Sequence, residues 1–515
     1  MKALFATLGP LAFFLFLLGT RACHVNVRNV TSYGATGDGT TDDTAAINSA
    51  ISALQPGYEL YFPCGTYRVS SALKPIVVQN VTVAGTSGCT TLKGSGSGNS
   101  ILQVGADSLT AATPLTAAAG ELSTTFSANF SSLGGLAVGD YVVLQEGGKD
   151  YSSDTAPGHD SNCDVSGCRG EVVQIQSVSG STATVTTALH YPYDPLGNAA
   201  KVAKIPNPVN GAVVKDLVLD GSGTVSLGLY MVGVVNATVA NVSATNFVNW
   251  GLLSHWAFNL AWNNIAISHA GNGGADAFLL YGQGRPSVNG ASLNNLNPNA
   301  FGMGIHTTAD GTFTNVTIDK SGTSSGRPFK TTAASYNSFN SLTVKNGMGS
   351  TGYNGISLEY YSSHNTFNHC VVTNNSAYSG IMGFGNYNQY NKFVNCTVGG
   401  NAQWQLGHSR SALGQFNDTH WEISGGTYTG VSGQNVLQIN GSNAYIHDVS
   451  INGLGNVALA IGTPAGNACV NSNSFSGTFS YTIYLSGTGD LANGNTGIPG
   501  SGPSYPSSLP SGTCP

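Results

Sequence analysis

Charge is what this sequence has least of. Its 515 residues include 18 Lys+Arg and 24 Asp+Glu, 8% of the chain, where a soluble domain carries roughly 25%. Without clustered Lys and Arg there is no electrostatic footprint for nucleic acid. A net charge of only −6, with 41% of the chain hydrophobic and evenly spread, excludes disorder driven by charge. Helix formers such as Glu and Lys give way to Gly, Ser, Thr and Asn, which excludes a long-helix protein. Beyond the N-terminus no run approaches 18 apolar residues, so no membrane span is expected. What remains is a polar, scarcely charged chain with 69 glycines, a composition of short strands joined by many turns.

The first residues read as an export signal. Lys2 supplies a basic start, Leu11 to Leu18 an apolar stretch, and Thr20-Arg21-Ala22 a small-residue cleavage site. A secreted protein processed after residue 22 is expected, with a lipid anchor on Cys23 as the alternative. In that compartment nine cysteines imply disulfides. They form local couples: Cys64 with Cys89, Cys163 with Cys168, Cys370 with Cys396, and Cys469 with Cys514. None has metal-site spacing with His, so no metal or other cofactor is expected, calcium being left open.

Internal repetition is the strongest signal. Asn337, Asn365, Asn391, Asn417 and Asn443 recur at steps of 26 to 28 residues within similar text, Asn-Ser-Phe-Asn at 337 and Asn-Thr-Phe-Asn at 365. A second series runs ahead of it: Gly251 to His255, Gly302 to His306, Gly355 to Glu359 and Gly380 to Phe384. Such a period, with β-branched and aromatic alternation broken by Gly and Asn, fits one coil of a right-handed parallel β-helix. A propeller blade needs more residues, and a leucine-rich repeat needs a Leu consensus that is missing. The recurring Asn is expected in a left-handed turn, its amide bonding its neighbours above and below. Cys370 and Cys396 should then bridge successive coils, since strands ~4.8 Å apart satisfy disulfide geometry.

The expected fold class is all-β, a right-handed parallel β-helix with an N-terminal capping helix and an inserted small β-subdomain. The helix is read at Asp42 to Leu54, with an Asp N-cap. Residues 106–205 break the coil period, and Gly139 to Leu144 and Glu171 to Val178 read as antiparallel strands of the insert. The domain plan is 1–22 signal peptide, 23–105 cap and first coils, 106–205 insert, 206–490 β-helix and 491–515 a Gly/Pro/Ser-rich tail.

Val30-Thr-Ser-Tyr-Gly-Ala-Thr-Gly-Asp-Gly-Thr-Thr-Asp-Asp-Thr-Ala-Ala-Ile, followed by Leu60-Tyr-Phe-Pro-Cys-Gly-Thr-Tyr67, resembles the opening of pectate-lyase-like β-helix proteins, a group that includes rhamnogalacturonases, sugar epimerases, exo-glucanases and phage tailspikes. The resemblance implies a secreted carbohydrate-active protein and leaves the reaction open. The Asn-Thr-Asp, Gly-His-Gly and Arg-Ile-Lys motifs of polygalacturonase-type hydrolases and the Asp-Pro-His of mannuronan epimerases are missing, so no catalytic residue is carried over.

Strand alternation supplies the candidates instead. In the Gly-led series the second and fourth positions are apolar, as in Leu252, Phe278, Met303 and Ile356, and should face inward. The fifth then faces outward: His255, Tyr281, His306, one unassigned coil, Glu359, Phe384, His408 and Asn440, with Gln283, Tyr361, Asn386 and Arg410 two residues further on. The expected catalytic set is His306, Glu359, His408 and Arg410. His255, Tyr281, Lys330, Tyr361 and Asn386 are expected to bind a polysaccharide. Glycoside hydrolysis would pair Glu359 with Asp276 or Asp310. Removal of the proton alpha to a uronate carboxylate would use His306 or His408 as base, Tyr281 or Tyr361 as acid, and Arg410 or Lys330 as neutralising cation. The second chemistry, β-elimination on a pectin-like polymer, is preferred. Hydrolysis and a non-catalytic glycan-binding or adhesive role are the alternatives, and neither the polymer nor the oligomeric state is legible.

Overall fold

A computed structural model describes residues 26–498, except 97–99, 147–168, 198, 272–274, 298, 322–325, 348–353, 376–378, 385–387, 409–417 and 463–465, together with Gly512 and Cys514. Residues 1–22, expected to be a signal peptide, Cys23, and the couple Cys163 and Cys168 lie outside the described residues.

Successive coils stack in parallel register, each strand pairing with its equivalent one coil on. On one wall Val213–Asp220, Thr238–Thr245, Ala261–Ser268, Ser287–Asn294 and Thr312–Asp319 pair in turn. Shorter strands carry that ladder on to Leu491–Asn493. Midway along each strand one residue has positive φ, as in Asp216, Asn241, Asn264, Gly290 and Asn315. Asn, Asp and Gly tolerate the left-handed region, and the kink folds the wall while keeping Val214, Leu217 and Leu219, then Val239, Val242 and Ala244, inside. The exposed amides bond along the stack: Asn241 Nδ2 donates to Asp216 Oδ1 at 2.9 Å and Asn264 Nδ2 to Asn241 Oδ1 at 2.8 Å.

A second wall carries Leu227–Val232, Trp250–Phe258, Asp276–Gly284, Phe301–Ala309, Phe329–Thr332, Ile356–Glu359, Ile381–Phe384, Leu406–His408 and Leu437–Ile439. Inside, Phe313, Phe339, Phe367 and Phe393 stack at centroid spacings of 4.8, 4.5 and 5.0 Å. One continuous core therefore runs the length of the solenoid.

The Asn series divides. Asn337, Asn365 and Asn391 stack as a buried ladder, Asn337 Nδ2 donating to Asn365 Oδ1 at 3.0 Å and Asn365 Nδ2 to Asn391 Oδ1 at 3.1 Å. The left-handed residue is the one before each of them, Tyr336, His364 and Tyr390. Asn443 belongs to that preceding column, with φ of 56°, and its side chain meets His420 Nε2. Asn417 lies outside the described residues. Cys370–Cys396 joins two coils with Cα atoms 4.5 Å apart, and Cys64–Cys89 and Cys469–Cys514 are also bonded.

Helix Thr44–Ser52 buries Ile47, Ala50 and Ile51 against the first coils. Asp43 stands at its N-cap position, but the carboxylate accepts from the Thr36 and Gly37 N–H groups, and Asp42 Oδ1 accepts from Thr44 N instead. Tyr141–Glu146 and Arg169–Ser179 do pair antiparallel, within a separate six-stranded sheet that begins at Thr113–Pro114 and ends at Lys201–Lys204. That sheet has its own core around Phe126, Leu144 and Val173. A second apolar cluster, Tyr141, Val143 and Val172 with Trp256 and Phe258, fixes it to the outer face of the second wall.

Candidate functional site

Beneath and beside that sheet the second wall presents its outward residues. Hydrogen-bonded register aligns His255, Tyr281, His306, Thr332 and Glu359 in one column, one residue per coil. Thr332 fills the unassigned coil. A parallel outer column two residues earlier holds Leu253, Leu279, Gly304, Lys330 and Ser357. Four of the expected site residues, Tyr281, His306, Lys330 and Glu359, therefore share one face, with His255 one coil beyond Tyr281.

The cluster they form is charged and buried, an expensive arrangement unless the charges are paired. Asp276 lies where a side chain on Gly304 would be, a Cβ there meeting its carboxylate at 2.5 Å. That vacancy lets one carboxylate oxygen stand 3.7 Å from His306 Nε2 and 3.5 Å from Lys330 Nζ. Two coils along, Glu359 is fully buried, forms an ion pair with Arg327 and accepts from Thr332 Oγ1 at 3.4 Å. Phe301 joins the two halves: Lys330 Nζ lies 4.7 Å and Arg327 Cζ 5.8 Å from its ring centroid, within cation–π reach. The Tyr281 ring packs edge-on to His306 at 6.2 Å and also touches His255 and Trp256.

His255 stands apart electrostatically. It lies 3.5 Å from Asp107, is stacked on Trp256, and burial holds its pKa below the usual range despite that carboxylate. The hydrogen bond to His255 in turn lowers the Asp107 pKa.

The residue after each outward one is left-handed: Trp256, Gly282, Thr307, Ala333 and Tyr360 all have positive φ. For β-branched Thr307 (φ 44°) and for Tyr360 (φ 30°) this is strained backbone, of the kind that clusters at functional sites. The kink also breaks strand alternation, so the residue two positions further on leaves the face. Gln283 turns in to bond Ser254. Tyr361 lies round the corner, its ring under Arg169, in a cleft with Glu121, His190, His364 and Tyr390.

His408 is the clearest departure from expectation. The ladder pairs Leu406 with Ile381 and His408 with Gly383, one position short of Phe384. Its imidazole therefore points inward, 4.1 Å from the Trp421 ring and 3.9 Å from Asp418. Burial pushes the His408 pKa down to about 3 and the Asp418 pKa up to about 7. Asp310, the other proposed acid partner, pairs with Arg285 at 3.2 Å on an exposed turn. Arg410 and Asn386 lie outside the described residues. Arg327 was invisible to periodicity because it precedes its strand. Asp276 was visible only as an acid near Tyr281.

Residues 27–276 match the family described as "Rhamnogalacturonase A/epimerase, pectate lyase-like". That span is just under half of the chain; the match supports a pectate-lyase-like parallel β-helix family, and the parallel solenoid continues beyond it. Among curated proteins, 84 residues are 38% identical to mannuronan C5-epimerase AlgE1 of Azotobacter vinelandii, a stretch covering 15% of this chain and 5% of that protein. A stretch of 58 residues is 50% identical to the non-secreted LysM effector LysM15 of Penicillium expansum, 9% of this chain and 4% of the effector. The chain thus spans only a small part of the curated relatives it matches. Among solved structures, the tailspike protein gp49 from Pseudomonas phage LKA1 superposes with a TM-score of 0.59 at 15% identity, over 92% of this chain and 82% of that one. The tailspike gp61 of Pseudomonas phage phi297 gives 0.57 at 15% identity, over 93% and 82%. At such identity the likeness is one of fold. Among the described residues no group of three His, Cys, Asp or Glu is arranged to hold a metal, and no helix is long and apolar enough to cross a membrane.

Proposed function

We propose that this protein is a secreted enzyme acting on a uronate-containing polysaccharide by removing the proton alpha to the carboxylate, with β-elimination as the outcome. The observation that carries the reading is the Asp276 carboxylate standing within 3.7 Å of His306 and 3.5 Å of Lys330, with Tyr281 on the next coil. His306 takes the proton, and Asp276 steadies the imidazolium that forms. The Lys330 ammonium offsets charge developing on the uronate carboxylate, in a site where burial strengthens the effect. Tyr281 protonates the departing glycosidic oxygen as the C–O bond breaks and the C=C bond forms. Glu359, buried and held by Arg327 and Thr332, fixes the far end of the cluster. Secretion supports the reading through the three disulfides, and the stretch related to a mannuronan C5-epimerase supports uronate chemistry. The sheet within 106–205 is taken as an insert that roofs the site on the 206–490 helix.

A second reading, hydrolysis, is favoured by the two buried carboxylates. Gly304, beneath Asp276, and Ser357, beside Glu359, are two coils apart, ~9.6 Å by strand spacing, near the upper end of the ~6.5–9.5 Å used for inversion. A glycan-binding role without catalysis is the third. Pectins, alginates and glucans incubated with the protein separate them: elimination gives new reducing ends and ultraviolet absorbance from the unsaturated uronate, hydrolysis gives reducing ends alone, and a binding protein gives neither. On the active polymer, His306→Ala and Lys330→Met should each lower the rate by ~10²–10⁴ with circular dichroism unchanged. Wild-type rates in both would refute these roles.

A further inference from the structure

The outer column that holds Lys330 does not end there. Register carries it through Ser357, Met382 and Gly407 to Gln438, then Ala460 and Tyr484. Gln438 is four coils from Lys330 and Tyr484 six, ~19 and ~29 Å along the solenoid. There the face opens into a cleft of about 490 Å³, well within the size range of ligand sites.

Its walls are built for one kind of ligand. Tyr481 and Tyr484 meet edge-on at 5.9 Å, and Tyr481 is 39% exposed in a chain whose other rings are mostly stacked or buried. Ala460 and Gly462 give a low floor between them and the amides of Asn435, Gln438 and Asn456. Those amides are held in place, Gln438 Nε2 donating to Asn440 Oδ1 at 2.9 Å and Asn456 Nδ2 to Gly433 O at 3.0 Å. None of the lining residues carries a charge, which excludes selection of anions by ion pairing. Rings beside fixed amides suit a pyranose, which offers C–H groups on its faces and hydroxyls round its edge.

We propose that this cleft is a distal glycan subsite, binding neutral pyranose units of the same polymer whose other part lies at His306 and Lys330. The proposal rests on the reading of that cluster as the reaction centre only for the polymer's identity; the cleft's chemistry stands on its own residues. Two sites on one chain raise the effective concentration of polymer at the second once the first is engaged, so long chains bind more tightly than short ones.

The test is affinity electrophoresis and calorimetry of the full chain with pectins, alginates and glucans, long and short. Tyr481→Ala and Tyr484→Ala should each weaken binding to long chains about tenfold, and Tyr→Phe at either position should restore it. His306→Ala, expected to abolish turnover, should still bind long chains through the cleft. If His306→Ala is fully active but the tyrosine variants lose binding, the catalytic reading fails and the subsite survives. If the tyrosine variants bind as wild type does, or if no polymer binds, the subsite is refuted.

Discussion

Asn365→Ala should be among the more destabilising polar substitutions in the protein. Its side chain is fully buried and makes four hydrogen bonds: Nδ2 to Ala334 O (2.8 Å) and to Asn391 Oδ1 (3.1 Å), with Oδ1 accepting from Asn337 N (3.1 Å) and Asn337 Nδ2 (3.0 Å). Three of the partners keep another bond: Ala334 O from Ser363 N, Asn391 Oδ1 from Asn365 N, and Asn337 Nδ2 to Thr308 O. The Asn337 N–H loses its partner. One stranded buried donor costs about 1–3 kcal/mol and three weakened groups about 0.5–1 kcal/mol each, giving about 2.5–6 kcal/mol. The control is Asn264→Gly. Asn264 is exposed, has φ of 54° and gives up one bond to Asn241, while the next coil already places Gly290 in that column at φ 75°. Relief of left-handed strain offsets the lost bond, for a change below about 1 kcal/mol. Stacked coils need not unfold in one step, so the assay pairs urea denaturation with hydrogen exchange at Phe339 and Phe367. Faster exchange there in Asn365→Ala alone is expected. Equal effects of the two variants, or native exchange in both, would show that the buried ladder holds the coils no better than the exposed one.

Asp418 should make the protein less stable as pH rises. With a folded pKa near 7 against an unfolded value near 3.8, the unfolded chain ionises first, so stability falls between those values by roughly 4 kcal/mol and is level above them. Asp418→Asn should match wild type at pH 4 and exceed it at pH 8 in urea midpoint, and a variant less stable at pH 8 would refute the assignment. His408, neutral in the fold, acts oppositely, so both proteins should lose stability as pH falls below its ordinary range toward 3. Cys370 and Cys396 should resist thiol labelling in native protein, and replacing both by Ala should cost about 3.5 kcal/mol for a loop of that length; labelling of both without denaturant would exclude the bond.

The sequence revealed the solenoid because its period is carried by residues whose roles are local. Gly-led strands and Asn-led turns repeat whatever the coil beside them does. It revealed which residues share one outer column for the same reason, since His255, Tyr281, His306 and Glu359 each stand fifth in an equivalent strand. It failed where coils change length. Between Ile381 and Leu406 the strand shifts relative to the text, so counting from Trp404 put His408 outside, whereas pairing with Gly383 turns it in. Alternation also failed past the left-handed residues, which is why Tyr361 and Gln283 leave the face. Arg327, in the turn before a strand, has no periodic position. The Asn ladder was legible as repetition but not as conformation, because the left-handed φ belongs to the residue before it.

The small antiparallel sheet changes how the solenoid behaves as a mechanical object. A bare stack of coils can open one repeat at a time, each held only by its neighbours. Here the sheet packs on Trp256 and Phe258, bonds the Ala333 carbonyl through Tyr191, the Tyr336 hydroxyl through Glu121, and covers Tyr361 with Arg169. It acts as a splint across the coils from Trp250 to Tyr361, so that stretch should open only as a unit. Glu121 reaches on to His364 at 3.6 Å; the coils further on are tied by Cys370–Cys396 and Cys469–Cys514 instead of by the sheet, and hydrogen exchange should record them as a separate foldon. Fraying should therefore begin at the C-terminal end and stop at the edge of the splint.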